Sequence, residues 1–113
     1  MNWYTFSVAG VNADLNAKAN LWKAMQEVQT NPNLPISATV VPEFENPYDP
    51  KALRVELNGQ KIGYVPRKEQ EALIQAFPGF PQAVLILRGK IEGWGLHKDN
   101  QLFCQVSLPI TKD

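Results

Sequence analysis

Large apolar side chains alternate with small or polar ones along Tyr4-Thr5-Phe6-Ser7-Val8-Ala9, the period of a strand with one face in a core, and Gly10 permits a bend at its end. From about Asn16 to Gln29 the period lengthens. Leu21, Trp22, Met25 and Val28 fall on one helical face, Asn16 is placed to cap the start, and Asn31-Pro32 stops the helix. That apolar stripe is expected to enter the core. Ile36–Val41 reads as a second strand, bounded by Pro35 and Pro42. Ala52–Leu57 and Lys61–Val65 flank Asn58-Gly59, whose two residues tolerate positive φ, so they form a tight hairpin.

Pro66 suits the first turn of a helix running to about Phe77, with Leu73, Ile74 and Phe77 facing inward and Pro78-Gly79 as its stop. Val84–Arg88 and Leu102–Leu108 read as two closing strands. Gly93-Trp94-Gly95 and His97–Asn100 form a turn-rich connection between them. The order is strand, helix, strand, hairpin pair, helix, two strands: a mostly β chain with two helices, in the α+β class. Six strands with mostly short links favour a small closed or partly open barrel with both helices packed outside it, because closure removes sheet edges. A flat α+β sandwich is the alternative.

Composition narrows this picture rather than changing it. A chain of 113 residues fits a single domain, 1–113, and needs neither disulfide nor metal to build a modest core. No apolar run approaches the ~18 residues of a transmembrane helix, and Met1–Thr5 lacks the start of a secretory signal, so a cytoplasmic protein without membrane contact is expected. Cys104 is the one cysteine and lies in the apolar run Leu102–Val106, which reads as a buried packing thiol. Eleven basic and eleven acidic residues cancel, which argues against strong sequence-independent affinity for polyanions. The distribution is uneven, however. Lys51, Arg54, Lys61, Arg67 and Lys68 face one acid, Glu56, between positions 51 and 68, whereas positions 31–50 carry only Glu43, Glu45 and Asp49.

The common catalytic kits are missing. One cysteine and one histidine do not make a zinc site, and neither a phosphate-cradling glycine loop ending in Lys-Ser/Thr nor a Gly-x-Ser-x-Gly elbow occurs. His97 sits among turn residues and reads as a solvated loop histidine. Glu43, Glu45 and Asp49 have the side chains that a metal-dependent nuclease needs, but three acids in one proline-rich loop read first as a solvated loop. The expectation is a binding protein with no catalytic residues, no metal and no cofactor.

The most unusual stretch is Asn46-Pro47-Tyr48-Asp49-Pro50-Lys51-Ala52-Leu53-Arg54-Val55, followed by Ile62-Gly63-Tyr64-Val65-Pro66. Two X-Pro steps hold Asn46 and Asp49 away from helical geometry and stiffen the loop, which lowers the cost of ordering it around a ligand. One reading has Asp49 closing an Asx turn while Tyr48 plugs an end of the barrel; the other has both side chains presented to a ligand. The paired motifs resemble those of the HIRAN family, over roughly Phe6 to Phe77 and in the same order, with the last third matching only in strand character.

The resemblance implies a barrel related to the OB and SH3-like folds, found fused to DNA-remodelling helicases and nucleases and also standing alone. It implies a non-catalytic reader of nucleic acid, recognising single-stranded DNA 3′ ends or damaged DNA, with a helicase or nuclease as a partner protein. On that reading Tyr48 stacks on a terminal base, Asp49 accepts a hydrogen bond from a 3′ hydroxyl, and Tyr64 forms the far wall. Arg67 or Lys68, at a helix N-terminus, holds a phosphate, and Asn46 shapes the loop. The segment Gly10-Val11-Asn12-Ala13-Asp14 departs from the family pattern, which there carries a basic residue and aromatics that complete the clamp. The competing reading is a protein-interaction module that binds an extended peptide, with Trp3, Trp94 and Phe80 as its aromatic surface.

Overall fold

A computed structural model describes residues 2–110. Six strands, β1 (Asn2–Ser7), β2 (Ala38–Pro42), β3 (Leu53–Leu57), β4 (Gln60–Tyr64), β5 (Leu87–Leu96) and β6 (Leu102–Ile110), form one antiparallel sheet in the order β1-β6-β5-β2-β3-β4. Helix α1 (Leu15–Thr30) follows β1, and a 3₁₀ turn (Arg67–Glu69) running into the short helix α2 (Gln70–Ala76) follows β4. The α+β class and the strand count are therefore as expected. The barrel is not fully closed. The outer strands meet at one residue pair, where Ala9 donates to the Tyr64 carbonyl at 2.7 Å and Tyr64 donates back at 2.9 Å.

Gly63 makes that meeting possible. A Cβ there would run into the carbonyl oxygen of Ala9 and lie 2.7 Å from Val8 Cγ1, so the Ile-Gly-Tyr motif needs glycine for space. The adjacent hairpin is as the sequence reads: Leu57 pairs with Gln60, and Asn58 and Gly59 both take positive φ, 48° and 85°. One core joins the sheet to both helices: Phe6, Leu21, Val40, Val55, Ile62, Leu73 and Val106 are buried in a single cluster. Each such side chain contributes roughly 1.5–3 kcal/mol of transfer free energy. Cys104 is buried among them, and that burial pushes its thiol pKa up to about 12.

Several local expectations change. Asp14, not Asn16, caps α1, its Oδ1 accepting the Asn16 amide at 2.8 Å. Ala17 and Leu21 are the fully buried positions of that helix, while Trp22 is 42% exposed. The closing strands also shift. Val84–Ile86 lies outside any strand and is exposed, because β2 pairs with β5 only from Val40 back to Ala38, and Pro42, further along, has no N–H to extend the ladder. Gly93-Trp94-Gly95, expected in a turn, instead continues β5. The ring of Phe103 covers Gly95 across the pair, within 2.7 Å of where a Cβ would stand, and only Lys98–Asn100 turns the chain. Among the described residues no helix is long and apolar enough to cross a membrane.

Candidate functional site

The β2–β3 loop, the end of β4 and the 3₁₀ turn converge on one cleft of about 350 Å³. Its lining includes Asn46, Tyr48, Asp49, Tyr64 and Arg67, five of the six residues expected from the sequence, together with Gln70. The backbone of Ala9 and Gly10 closes the side next to Tyr64. Lys68, the sixth, is exposed on the same turn but lies outside the lining. Arg67 and Lys68 stand in a 3₁₀ turn whose cap is Pro66, and their side-chain charge is what they offer an anion. The helix terminus expected at Arg67 and Lys68 is present, as the start of a short 3₁₀ segment that runs into α2.

The loop is ordered by its own polar groups. Asn46 Oδ1 accepts the backbone amides of Tyr48 at 2.8 Å and Asp49 at 3.0 Å, and Asp49 Oδ1 accepts the Lys51 amide at 3.0 Å. Both turns tighten a chain already stiffened by Pro47 and Pro50. Asp49 does close an Asx turn, but Tyr48 plugs nothing: its side chain stands 90% exposed at the cleft rim. An aromatic ring so exposed on a rigid loop is a stacking surface already in place.

Asp49 is held more closely. Its side chain is 19% exposed, and its Oδ2 accepts Gln70 Nε2 at 3.0 Å and lies 3.5 Å from Arg67 Nε. The bond from Gln70, then the Lys51 amide and the Arg67 charge, hold its pKa below the ordinary carboxylate value, so it is an anion at neutral pH. A carboxylate has about four acceptor positions, and Oδ1 has used one of its two. Asp49 can therefore take one further donor, and it repels a second anion.

Glu43 ties the loop to the opposite wall. Its Oε1 accepts Asn46 Nδ2 and the Tyr64 hydroxyl, each at 2.8 Å, and its Oε2 accepts Arg54 at 3.2 Å. Burial pushes the Glu43 carboxyl up, but the bonds from Tyr64, Asn46 and Arg54 and the nearby Lys61 charge outweigh it and leave the pKa lowered. Lys61 Nζ donates to the Tyr64 hydroxyl at 2.6 Å and lies 4.3 Å from the ring centroid. Tyr64 is thus a fixed wall with its polar end saturated. Glu43 faces Tyr64 and Arg54 instead of joining Glu45 and Asp49, so the acid trio does not converge; no trio of His, Cys, Asp or Glu among the described residues is placed to hold a metal.

Sequence reasoning missed Glu43 and Gln70 as members of this arrangement. Gln70 stands three residues beyond Arg67, which hints that one turn presents both, but Glu43 gave no sign that its carboxylate would reach across to Tyr64. The segment after Gly10 supplies no ring. Val11 is buried, and Asn12 is committed to the scaffold, its amide exchanging two 2.9 Å bonds with the backbone of Leu102. The alternative aromatic surface does not assemble. Phe80 is buried, Trp94 packs against the core, and Trp3 lies under the Lys90 ammonium at 4.4 Å.

A family model described as the HIRAN domain matches residues 16–80, more than half of the chain, a span that contains the loop, the hairpin and the turn that build the cleft. No curated protein and no solved structure matches the chain.

Proposed function

The chain belongs to the HIRAN domain family, and from that premise we propose that it is a non-catalytic module that binds single-stranded DNA at a free 3′ end. Nucleic-acid binding follows from the family. The end preference rests on one observation: the Asp49 carboxylate is fixed in the cleft beside the exposed ring of Tyr48, with acceptor capacity to spare.

In this reading the terminal base stacks on Tyr48 and meets the edge of the wall made by Tyr64, Ala9 and Gly10. Base–aromatic stacking contributes about 1–3 kcal/mol per base. The 3′ hydroxyl donates to Asp49 Oδ1, whereas a 3′ phosphate would bring two negative charges against a carboxylate with no partner but Arg67, Gln70 and a backbone amide. Arg67, 76% exposed in its side chain, can swing from Asp49 to the phosphate that precedes the terminal nucleotide, and Lys68 adds charge from the same turn. Without the second ring that the family pattern carries after Gly10, one stacking face is left, so affinity should be modest and salt-dependent. A module of this kind delivers its end preference to a helicase or nuclease partner.

Fluorescence anisotropy with a short labelled strand tests this, comparing a 3′ hydroxyl, a 3′ phosphate and a blunt duplex at low salt. The expected order is tightest binding to the free hydroxyl, lost on Tyr48→Ala and on Asp49→Ala. Equal binding to hydroxyl and phosphate ends would overturn the role of Asp49, and no binding to any strand would overturn the function.

A further inference from the structure

A second cleft, of about 430 Å³, opens on the far side of Arg67 and Gln70 and shares both residues and Ala52 with the first. Its lining includes Pro42, Phe44, Lys51, Ile74 and Pro81. Phe44, in the loop after β2, is 58% exposed there, although nothing in the packing of the core requires an aromatic residue outside it. Lys51 and Arg67 put two cations along the lining, against the single acid Glu71. A row of charge beside an exposed ring, running on from a cleft with the same pairing, is the pattern by which proteins hold successive nucleotides of a single strand.

We infer that this second cleft is the subsite for the penultimate nucleotide of the bound strand, with Phe44 stacking its base. The inference rests on the end-binding function proposed above. Arg67 stands between the two clefts, so it meets the phosphate that joins the last nucleotide to the one before it. Lys51, next to Pro50 at the base of the same rigid loop, meets the phosphate one step further along. Ile74 and the prolines make an apolar lining that takes a base of any identity, so the subsite adds affinity without sequence preference.

The test is a cycle of two changes, read by anisotropy on a short strand with a free 3′ hydroxyl: Phe44→Ala in the protein, and an abasic site at the penultimate position in the strand. The exposed Phe44 can be truncated without opening the core, and unchanged circular dichroism would verify the fold. Each change alone should weaken binding about fivefold or more, and both together should weaken it no further, because each removes the same contact. If Tyr48→Ala abolishes binding while Phe44→Ala leaves it unchanged, the terminal pocket stands and the second subsite is wrong. If the two changes multiply, Phe44 acts somewhere other than on that base, and the inference is again wrong. If the unaltered protein binds no strand at all, the proposed function falls first and takes the subsite with it.

Discussion

The cradle made by β2, β3, β4 and the 3₁₀ turn and the long β5–β6 hairpin belong to one sheet, yet they are held together by different means. In the cradle, side chains cross between elements: Glu43 reaches Asn46, Arg54 and Tyr64, and Gln70 reaches Asp49 across 21 positions of sequence. In the hairpin the backbone ladder and apolar packing carry the structure, with Ser107 bonded to Thr5 and Glu92 as its main polar tie. The first arrangement fixes the directions of particular side chains; the second only keeps two strands together. A ligand site needs the first kind. The family match ends at residue 80, before the hairpin begins.

Changes matched between the two regions should separate these roles, and the largest difference is expected at glycine. Gly63→Val would drive side-chain carbon into the Ala9 carbonyl and Val8, separating the sheet edges, at a cost of about 3 kcal/mol or more. Gly93→Ala in the hairpin meets only Gln105 Oε1 at 3.8 Å and should stay within about 1 kcal/mol. Urea unfolding of the two variants measures both, and equal losses would show that the edges do not depend on Gly63.

A smaller contrast is expected between two carboxylates. Glu43→Ala strips Asn46, Arg54 and Tyr64 of a shared acceptor in a half-buried setting, costing about 2 kcal/mol and weakening strand binding as well. Glu92→Ala removes an acid that is far more exposed, and its unfolding free energy should fall by less than about 1 kcal/mol.

For binding alone, Tyr48→Ala should reduce strand affinity about fivefold or more with stability within about 0.5 kcal/mol, since its ring packs against nothing. Trp3→Ala, the exposed aromatic on the other half of the sheet, should leave affinity unchanged.

The smallest effect concerns pH. Glu43 and Asp49 have folded pKa values below their ordinary 4.5 and 3.8, so the unfolded chain binds more protons in this range and folding is favoured as pH rises. Their contribution is fully present above about pH 5 and is lost as pH falls through the lowered values. Acid unfolding should therefore be shallower in the Glu43→Gln, Asp49→Asn double variant, and an unaltered slope would mean that these two carboxylates do not carry it.

Much of this was legible in the chain because it depends on neighbours in sequence. Asn58-Gly59 sets its hairpin through its own backbone, and the two X-Pro steps stiffen the loop whatever surrounds it. The Asx turn at Asp49 spans two residues, so it too was written locally. Local chemistry misled where partners decide. Two glycines beside Trp94 look like a turn until Phe103 covers one of them, and Val84–Ile86 looks like a strand until its neighbour ends in proline. Trp22 looked like core because the helical period cannot tell how wide a face the sheet will accept.

The sequence by itself thus determined the α+β class, the hairpin, the rigid loop and the family, since turn geometry and periodicity are properties of a few consecutive residues. Tertiary structure alone decided that Tyr48 faces outward, that Glu43 locks Tyr64 and that a second cleft lies beyond Arg67. The Glu43–Tyr64 bond joins groups 21 positions apart, and whether such groups come within about 3 Å depends on how the sheet folds, not on spacing along the chain.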